Sequence, residues 1–555
     1  MYPILRETAI TRQMITAFGG FNNRPGAAEN EFCHMENLTS DHYPLLATRE
    51  GRTPVKTGVE AMISKDGLCT VEDGKFYISG HETGLTLTDG PKQLVGMGAW
   101  VVILPDRKYI NTIRPEEFGA IDAAFESAEP VVAELCDLEG NVYRVATGDA
   151  PPEDADLTWV DTTTDPATVR TWSAAYGTWS ALPSVYVRLS CPGIGRAFAQ
   201  YDGVTLSGFQ DIHLTGLNSS AVIWSRGDDY IVVVGVIPGR VVEEATVTVA
   251  RTMPQLDFMV EYQNRLWGCR YGLDGAGQPV NEIYASAQGD FKNWERFMGL
   301  ESDSYRVSCG TDGPFTGAAV VQNHPVFFKE DHMHIVYGSA MPFQVQAVRC
   351  RGVAADAGAS PAVVDEVLYY KSREGICAYD GSLPTLVSQG VPISGPAVGG
   401  SFGGKYYVSS ENGLFVLDTR RGLWHREDDL APSAFCESGG RLYAIAGVEL
   451  LDLTGGEEGL PFVAESGLQG LSRPDQTYLH GLLLRLKLEG RLTLEVRYDD
   501  GPWQVLYSLQ PAGLRSYELM IHPRRCDHFA YRLSGQGRLR LYSLTKYWEK
   551  GSDKP

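Results

Sequence analysis

The residue types that do chemistry are present in this chain, but their spacing rarely suits a reaction. His332 and His334 lie two apart in EDHMHIV and would share one face of a strand. With Glu330 or Asp331 they would offer donors to zinc, yet no third ligand follows at useful spacing, so they read as solvated strand residues. DLEGNVY (137–143) and TGDAPPEDADLTW (147–159) are rich in carboxylates. Neither has the alternating oxygens, Gly turn and closing Glu of a calcium loop, and both read as acidic loops. Arg226–Gly227–Asp228 lies between two apolar runs and reads as a hairpin turn. A propeller can cleave glycosidic bonds with a pair of carboxylates. Asp380, Asp418 and Asp452 instead recur at one repeat position, which argues for a shared turn role. No nucleophile elbow, phosphate loop or dinucleotide fingerprint occurs. The expectation is therefore no catalytic residue, no cofactor, no metal site and no enzymatic activity. Trp159, Trp172, Tyr176 and Trp179 cluster in one stretch and read as a small core or a contact surface.

The elements that would hold these residues are short strands. Gly numbers 61, Pro 30 and Tyr 27, and apolar and aromatic residues alternate in brief runs between Gly, Asp and Asn turns. One unit recurs: an apolar strand, a turn, an aromatic-rich strand, another turn, and a third strand closing near an Asp. It reads SPAVVDEVLYYKSREGICAYDG, then GPAVGGSFGGKYYVSSENGLFVLD, then PSAFCESGGRLYAIAGVELLD. Its anchors Tyr369, Tyr407 and Tyr443 are 38 and 36 residues apart, a spacing suited to four-stranded propeller blades. Weaker copies center on Phe328, Trp267, Tyr77 and Trp100. A blade has two apolar faces and cannot bury both alone, so blades stack until a ring closes.

The fold class is all-β: a β-propeller-like core of six or seven blades, an inserted β-sandwich or barrel, and a C-terminal β-sandwich. The expected boundaries are an extended arm over 1–52, first blades over 53–111, the insertion over 112–250, remaining blades over 251–461 and the C-terminal unit over 462–555. RPEEFGAIDAAFESAEP, which opens the insertion, reads as partly helical. The arm reads as a strand donor to a neighboring blade or subunit.

With 555 residues the chain exceeds one compact core, and 43% hydrophobic and 21% charged residues describe a folded protein. No apolar run reaches the roughly 18 residues that span a bilayer. The first residues lack the basic start and apolar stretch of a secretory leader, which suggests cytosolic synthesis. Ten scattered cysteines without close pairs read as free thiols. The net charge of −21, without a basic stripe, argues against binding through phosphate neutralization.

Two patches carry a family resemblance. FGGFNNRPGAAENEFCHMENLTSDHYPLLATREGR (18–52) resembles the opening of bacteriophage tail-nozzle and packaged-DNA stabilization proteins, through Asn22, Asn37, Tyr43, Arg49 and their neighbors. YQNRLWGCRYG…NEIYASAQGDFKNWERF (262–297) is similar to the core of the same family, through Asn264, Arg265, Trp267, Tyr284, Asp290 and Trp294. The likeness covers about half the chain, and neither the insertion nor the C-terminal unit maps onto it. It implies a virion structural protein, made in the bacterial cytoplasm. Such a protein forms a homo-oligomeric ring, about six copies, of the tail nozzle, hub or neck around the DNA exit channel. The implied partners are the chain itself, adjacent tail or head–tail connector proteins, double-stranded DNA passing without specific binding, and a host surface. The alternatives are a propeller-based glycan or host-surface adhesin and, more weakly, a polysaccharide-cleaving propeller.

Overall fold

The computed structural model describes residues 10–551 apart from 276, 457–458, 474 and 511–512. Among them the regular structure is β, with one 3-10 turn at Thr215–Leu217 and no α-helix. Seven four-stranded antiparallel sheets follow one another as blades: 59–86, 93–120, 258–308, 317–349, 362–386, 398–426, and 432–456 completed by Gly51–Thr57. First strands of consecutive blades touch at the other junctions, blades four and five meet through Phe328 and Tyr370, and Pro432–Ser438 of blade seven touches Val59–Ser64 of blade one, so the ring is closed. Aromatic contacts weld blade to blade. Phe328 of blade four meets Tyr370 of blade five at 5.0 Å, and Tyr369 stacks on Tyr406 of blade six at 5.5 Å.

Closure is made by the amino-terminal side of the chain. Gly51–Thr57 is the outer strand of blade seven, antiparallel to Glu449–Gly456, with Thr57 opposite Glu449 and Gly51 opposite Gly456. Thr53–Thr57 therefore belongs to the last blade rather than the first, and blade two runs on to Ala120, past the expected boundary at 111.

The arm's described strands pair within the chain. Thr11–Ile15 pairs with the carboxy-terminal strand Phe529–Lys550, and Phe32–Glu36 pairs with Pro461–Ser466. These strands complete a nine-stranded sheet spanned by two 22-residue strands, Thr477–Tyr498 and Phe529–Lys550. Alternate residues of the long pair bury one leucine-rich face: Leu484, Leu486, Leu488, Leu492, Leu494 and, opposite, Leu533, Leu539, Leu541. Gly490 and Gly537 face each other at its middle with φ of +148° and +126°. A Cβ on Gly490 would lie 2.0 Å from the Gln536 carbonyl oxygen, so only glycine fits there. Both halves bring the same face to one core, a sandwich made from one continuous sheet.

The insertion is a β-sandwich with a third, four-stranded sheet. Val131–Cys136, Tyr186–Ser190 and Tyr230–Val234 form the center of one layer, and Gly203–Ser207 with Thr248–Arg251 the center of the other. Leu135, Val187, Leu189, Ile231, Leu206 and Val249 fill the space between. The expected helix is absent: Phe118–Ala120 closes blade two and Ala123–Glu126 pairs with Thr248–Arg251. Alternate half-buried and exposed residues over AAFE fit a sheet edge, and pairing overrides the helix preference of alanine. Arg226–Gly227–Asp228 sits in a hairpin, with Gly227 opposite Tyr230.

Candidate functional site

A cavity opens on the propeller face where inner strands begin and second strands end. It measures about 840 Å3. Gln93, Leu104 and Arg107 border it from blade two, Phe258 and Arg270 from blade three, and Ala359 from the entry to blade five. Its charges are mutually engaged. The Arg270 guanidinium donates to Asp257 at 2.7 Å, Arg107 to Asp122 at 2.9 Å, and Lys92 meets Asp106 at 2.6 Å. Burial works against ionization of Asp106, but hydrogen bonds from Lys92 and the Thr88 amide outweigh it and hold its carboxyl below the ordinary value. Asp257 is the one carboxylate bordering the cavity, and it accepts from Arg270 and from the Tyr271 amide. The mouth therefore offers an apolar floor with a charged rim, a shape for binding.

The residues of the two resemblance patches lie elsewhere, in two brackets. In the first, the arm lies along the outer edge of blade six. Asn37, at φ +54°, donates through its amide nitrogen to Glu427 and through its side chain to Pro461, and accepts from Arg49 Nε at 2.9 Å. Arg49 and Arg52 share Glu427 and Asp428: Arg49 Nη2 is 2.9 Å from Asp428, and Arg52 lies 2.8 Å from Glu427 and 2.6 Å from Asp428. Burial weighs against Asp428 ionizing, and the two guanidinium groups more than offset it, holding its carboxyl below the ordinary value. Asn22 donates to Glu31 at 2.8 Å. Tyr43 is exposed, with the Arg421 guanidinium 5.3 Å from its ring center.

In the second bracket, the long loop between the third and fourth strands of blade three grips the insertion. Arg265 is buried and donates to three carbonyls of that loop, those of Ser286, Asp303 and Glu301, at 2.5–2.9 Å. Asn264, in the turn before it at φ +57°, accepts from the Gly289 amide. Asp290 accepts from Asn293 at 2.6 Å, and Asn293 also donates to Asp202, which forms a buried ion pair with Arg251. Asp202 and Arg251 belong to the insertion, so the loop ties its base to the ring. Trp294 donates to the Phe291 carbonyl at 2.9 Å. Tyr284 donates to Glu282, and burial with that carboxylate raises its phenol.

Trp267, Tyr369, Tyr407 and Tyr443 each occupy the third place of a blade's second strand, in blades three, five, six and seven. Trp267 packs on Phe343 of blade four at 4.9 Å, and Tyr407 on Phe435 of blade seven at 6.2 Å. Of the weaker anchors, Tyr77 falls on a third strand and Phe328 at the end of a second one. Asp380, Asp418 and Asp452 each accept a backbone amide two or three residues on, from Ser382, Arg421 and Thr454. Asp380 and Asp418 tie the turn after a third strand, whereas Asp452 lies within the third strand of blade seven, where its register shifts. His332 pairs with Asp331, and His334 is buried against Thr311. Among the described residues no three His, Cys, Asp or Glu side chains are placed to hold a metal ion.

Sequence reasoning missed Arg52, Glu427 and Asp428 as one cluster, and missed Asp202 and Arg251. These pairs are 49 to 376 residues apart, and only the pairing of Gly51–Thr57 and the loop of blade three bring them together.

No family model and no curated protein matches the chain. Solved structures do match. One is an exo-β-1,3-galactanase from Phanerochaete chrysosporium, 11% identical, over 52% of this chain and 95% of that one, with TM-score 0.21. Another is the extracellular domain of a two-component system from B. thetaiotaomicron, 8% identical over 93% and 98%, TM-score 0.17. A third is a family 43 arabinoxylan arabinofuranohydrolase from Bacillus subtilis, 11% identical over 70% and 93%, TM-score 0.17. At such identities the likeness concerns the fold alone. Two of these three neighbors are named as glycoside hydrolases, and the expectation of a chain without enzymatic activity is not kept.

Proposed function

We propose that the chain is a virion ring subunit of the tail-nozzle or hub type, in which a closed seven-bladed propeller serves as a rigid body for self-association around the DNA path. One observation supports this reading above the others. Both patches that carry the family resemblance act as brackets, one fastening arm and C-terminal sheet to blades six and seven, the other fastening the insertion to blade three. Buried brackets of this kind keep accessory domains at fixed angles, which a symmetric assembly requires. In this reading a duplex runs through the opening between copies rather than through any one propeller. Light scattering and negative-stain imaging of the full chain test the reading. A closed ring of about six copies is the expected result; a monomer at high concentration overturns it.

A second reading, recognition or cleavage of a host-surface polysaccharide, is favored by one feature of the insertion. Trp172 and Trp179 face each other across a hairpin at 5.8 Å, Trp172 is 40% exposed, and Tyr176 at the turn is 83% exposed. Such rings offer flat apolar faces with polar edges. Glycan-array binding and release of reducing ends, each lost in Trp172→Ala, would favor it over a purely structural role.

A further inference from the structure

The charge of this chain is divided by domain. Residues 461–555 carry 14 Lys and Arg against 10 Asp and Glu, whereas the insertion, 121–251, carries 7 Arg against 18 Asp and Glu. A net charge of −21 thus conceals a basic C-terminal sheet and a strongly acidic insertion.

The basic side is concentrated on the outer face of the two long strands. Arg485 and Arg491 on one strand, and Arg538 and Arg540 on the other, are exposed there. Lys487 stands directly opposite Arg540 in the register. Like charges placed opposite each other destabilize a sheet, so the fold retains an unfavorable pair on this surface. His42 and Arg49 of the arm join Lys487, Arg538 and Arg540 around a cavity of about 180 Å3, in which Glu50 and Glu489 are the acidic residues. Lys487 lies 3.5 Å from Glu489, and Arg540 lies 3.2 Å from the His42 ring nitrogen. On the insertion, Asp149, Glu153, Asp154 and Asp156 are all exposed within one loop.

The positions of the two domains complete the argument. The insertion leaves the ring between blades two and three. The C-terminal sheet continues from blade seven, and its arm strands Phe32–Glu36 and Leu38–Thr39 lie against the outer strand of blade six. Counting blades, the midpoint between two and three lies opposite blade six on a seven-membered ring. The acidic and basic domains are therefore attached at opposite sides of one propeller ring. Two different surfaces that are complementary and opposite define a head-to-tail contact, and such contacts close into a ring when the rotation between copies permits.

We infer that the basic outer face of the C-terminal sheet docks on the acidic insertion of a second copy of this chain. This rests on the proposed ring and names its interface. Opposite charge steers the encounter and fixes which surfaces meet, and salt weakens it.

The test uses the full chain and light scattering across protein concentration at low and high salt. The double variant Arg485→Glu with Arg540→Glu is expected to raise the concentration needed for assembly at least tenfold. The triple variant Glu153→Lys, Asp154→Lys and Asp156→Lys is expected to do the same. Mixing the two variants is expected to recover association, because each supplies the charge that the other has reversed. Unchanged circular dichroism shows that each variant is folded, and its positions are exposed. If the parent assembles and the double variant assembles equally well, the docking proposal falls while the ring stands. If the parent remains a monomer, both fall. If a 20-base-pair duplex binds the parent in fluorescence anisotropy and binding is lost in the double variant, the face belongs to nucleic acid and the docking proposal is overturned.

Discussion

Replacing Arg52 by Met should open the propeller at its closure strand. Arg52 lies on Gly51–Thr57, its side chain is 11% exposed, and its guanidinium contacts both Glu427 and Asp428 at 3.0 Å or less. Removing one member of a buried ion cluster leaves the others desolvated without their partner, a loss of about 3–5 kcal/mol. Arg49 remains beside the same carboxylates at 2.9 and 3.5 Å, which places the expected loss near the lower bound, about 3 kcal/mol. At about 1.4 kcal/mol per factor of ten, the detached state of Gly51–Thr57 becomes on the order of 10²-fold more populated. Hydrogen exchange of the closure-strand amides reads that population directly. The control is Arg420→Met, whose pair with Asp365 is more than half exposed on both sides and is worth less than about 1 kcal/mol. If the two variants exchange alike at Gly51–Thr57, the ion cluster does not hold the ring shut and the reasoning fails.

Other outcomes follow from the same coordinates. His334 and His425 are both held to a pKa of about 4, chiefly by burial, below the ordinary 6.5. The unfolded chain binds these protons first, so stability is intact above pH 6.5 and falls as the pH drops toward 4, by roughly 3 kcal/mol for each histidine. Urea midpoints at pH 7 and pH 5 check this, and His425→Gln should flatten the difference. Gly490→Ala should lower the melting temperature of the C-terminal sheet, at a cost of about 1–3 kcal/mol for a strained backbone position; an unchanged melting profile would contradict the tight facing of Gly490 and Gly537. Asp202→Asn should loosen the base of the insertion, because it leaves Arg251 buried without its counter-charge, by about 3 kcal/mol or more. Faster proteolysis within 121–251, with the blades left intact, is the expected reading.

The blades were readable because each repeats a local pattern. Tyr369, Tyr407 and Tyr443 share one place on successive second strands, and the periodicity of strand and turn carries that information within about 40 residues. The closing strand was not readable in the same way. Gly51–Thr57 contains Pro54 and is mostly exposed, as an outer strand is, and its partner lies near residue 450. The alanine-rich start of the insertion misled for the opposite reason. Its composition favors a helix, and only the distant strand Thr248–Arg251 makes an extended edge more stable. The brackets were partly visible as residue types, with Asn37, Arg49, Arg265 and Asp290 standing out, but their carboxylate and carbonyl partners follow from tertiary contact alone.

The seam at blade seven also sets the order of events during synthesis. Gly51–Thr57 leaves the ribosome early, whereas its partner Glu449–Gly456 is made about 400 residues later, a wait of about 20–80 s at 5–20 residues per second. By the end of that interval six blades stand as an open arc with an unpaired strand at hand. A strand in that condition is a template for the wrong neighbor, including the same segment of a nascent chain on the next ribosome.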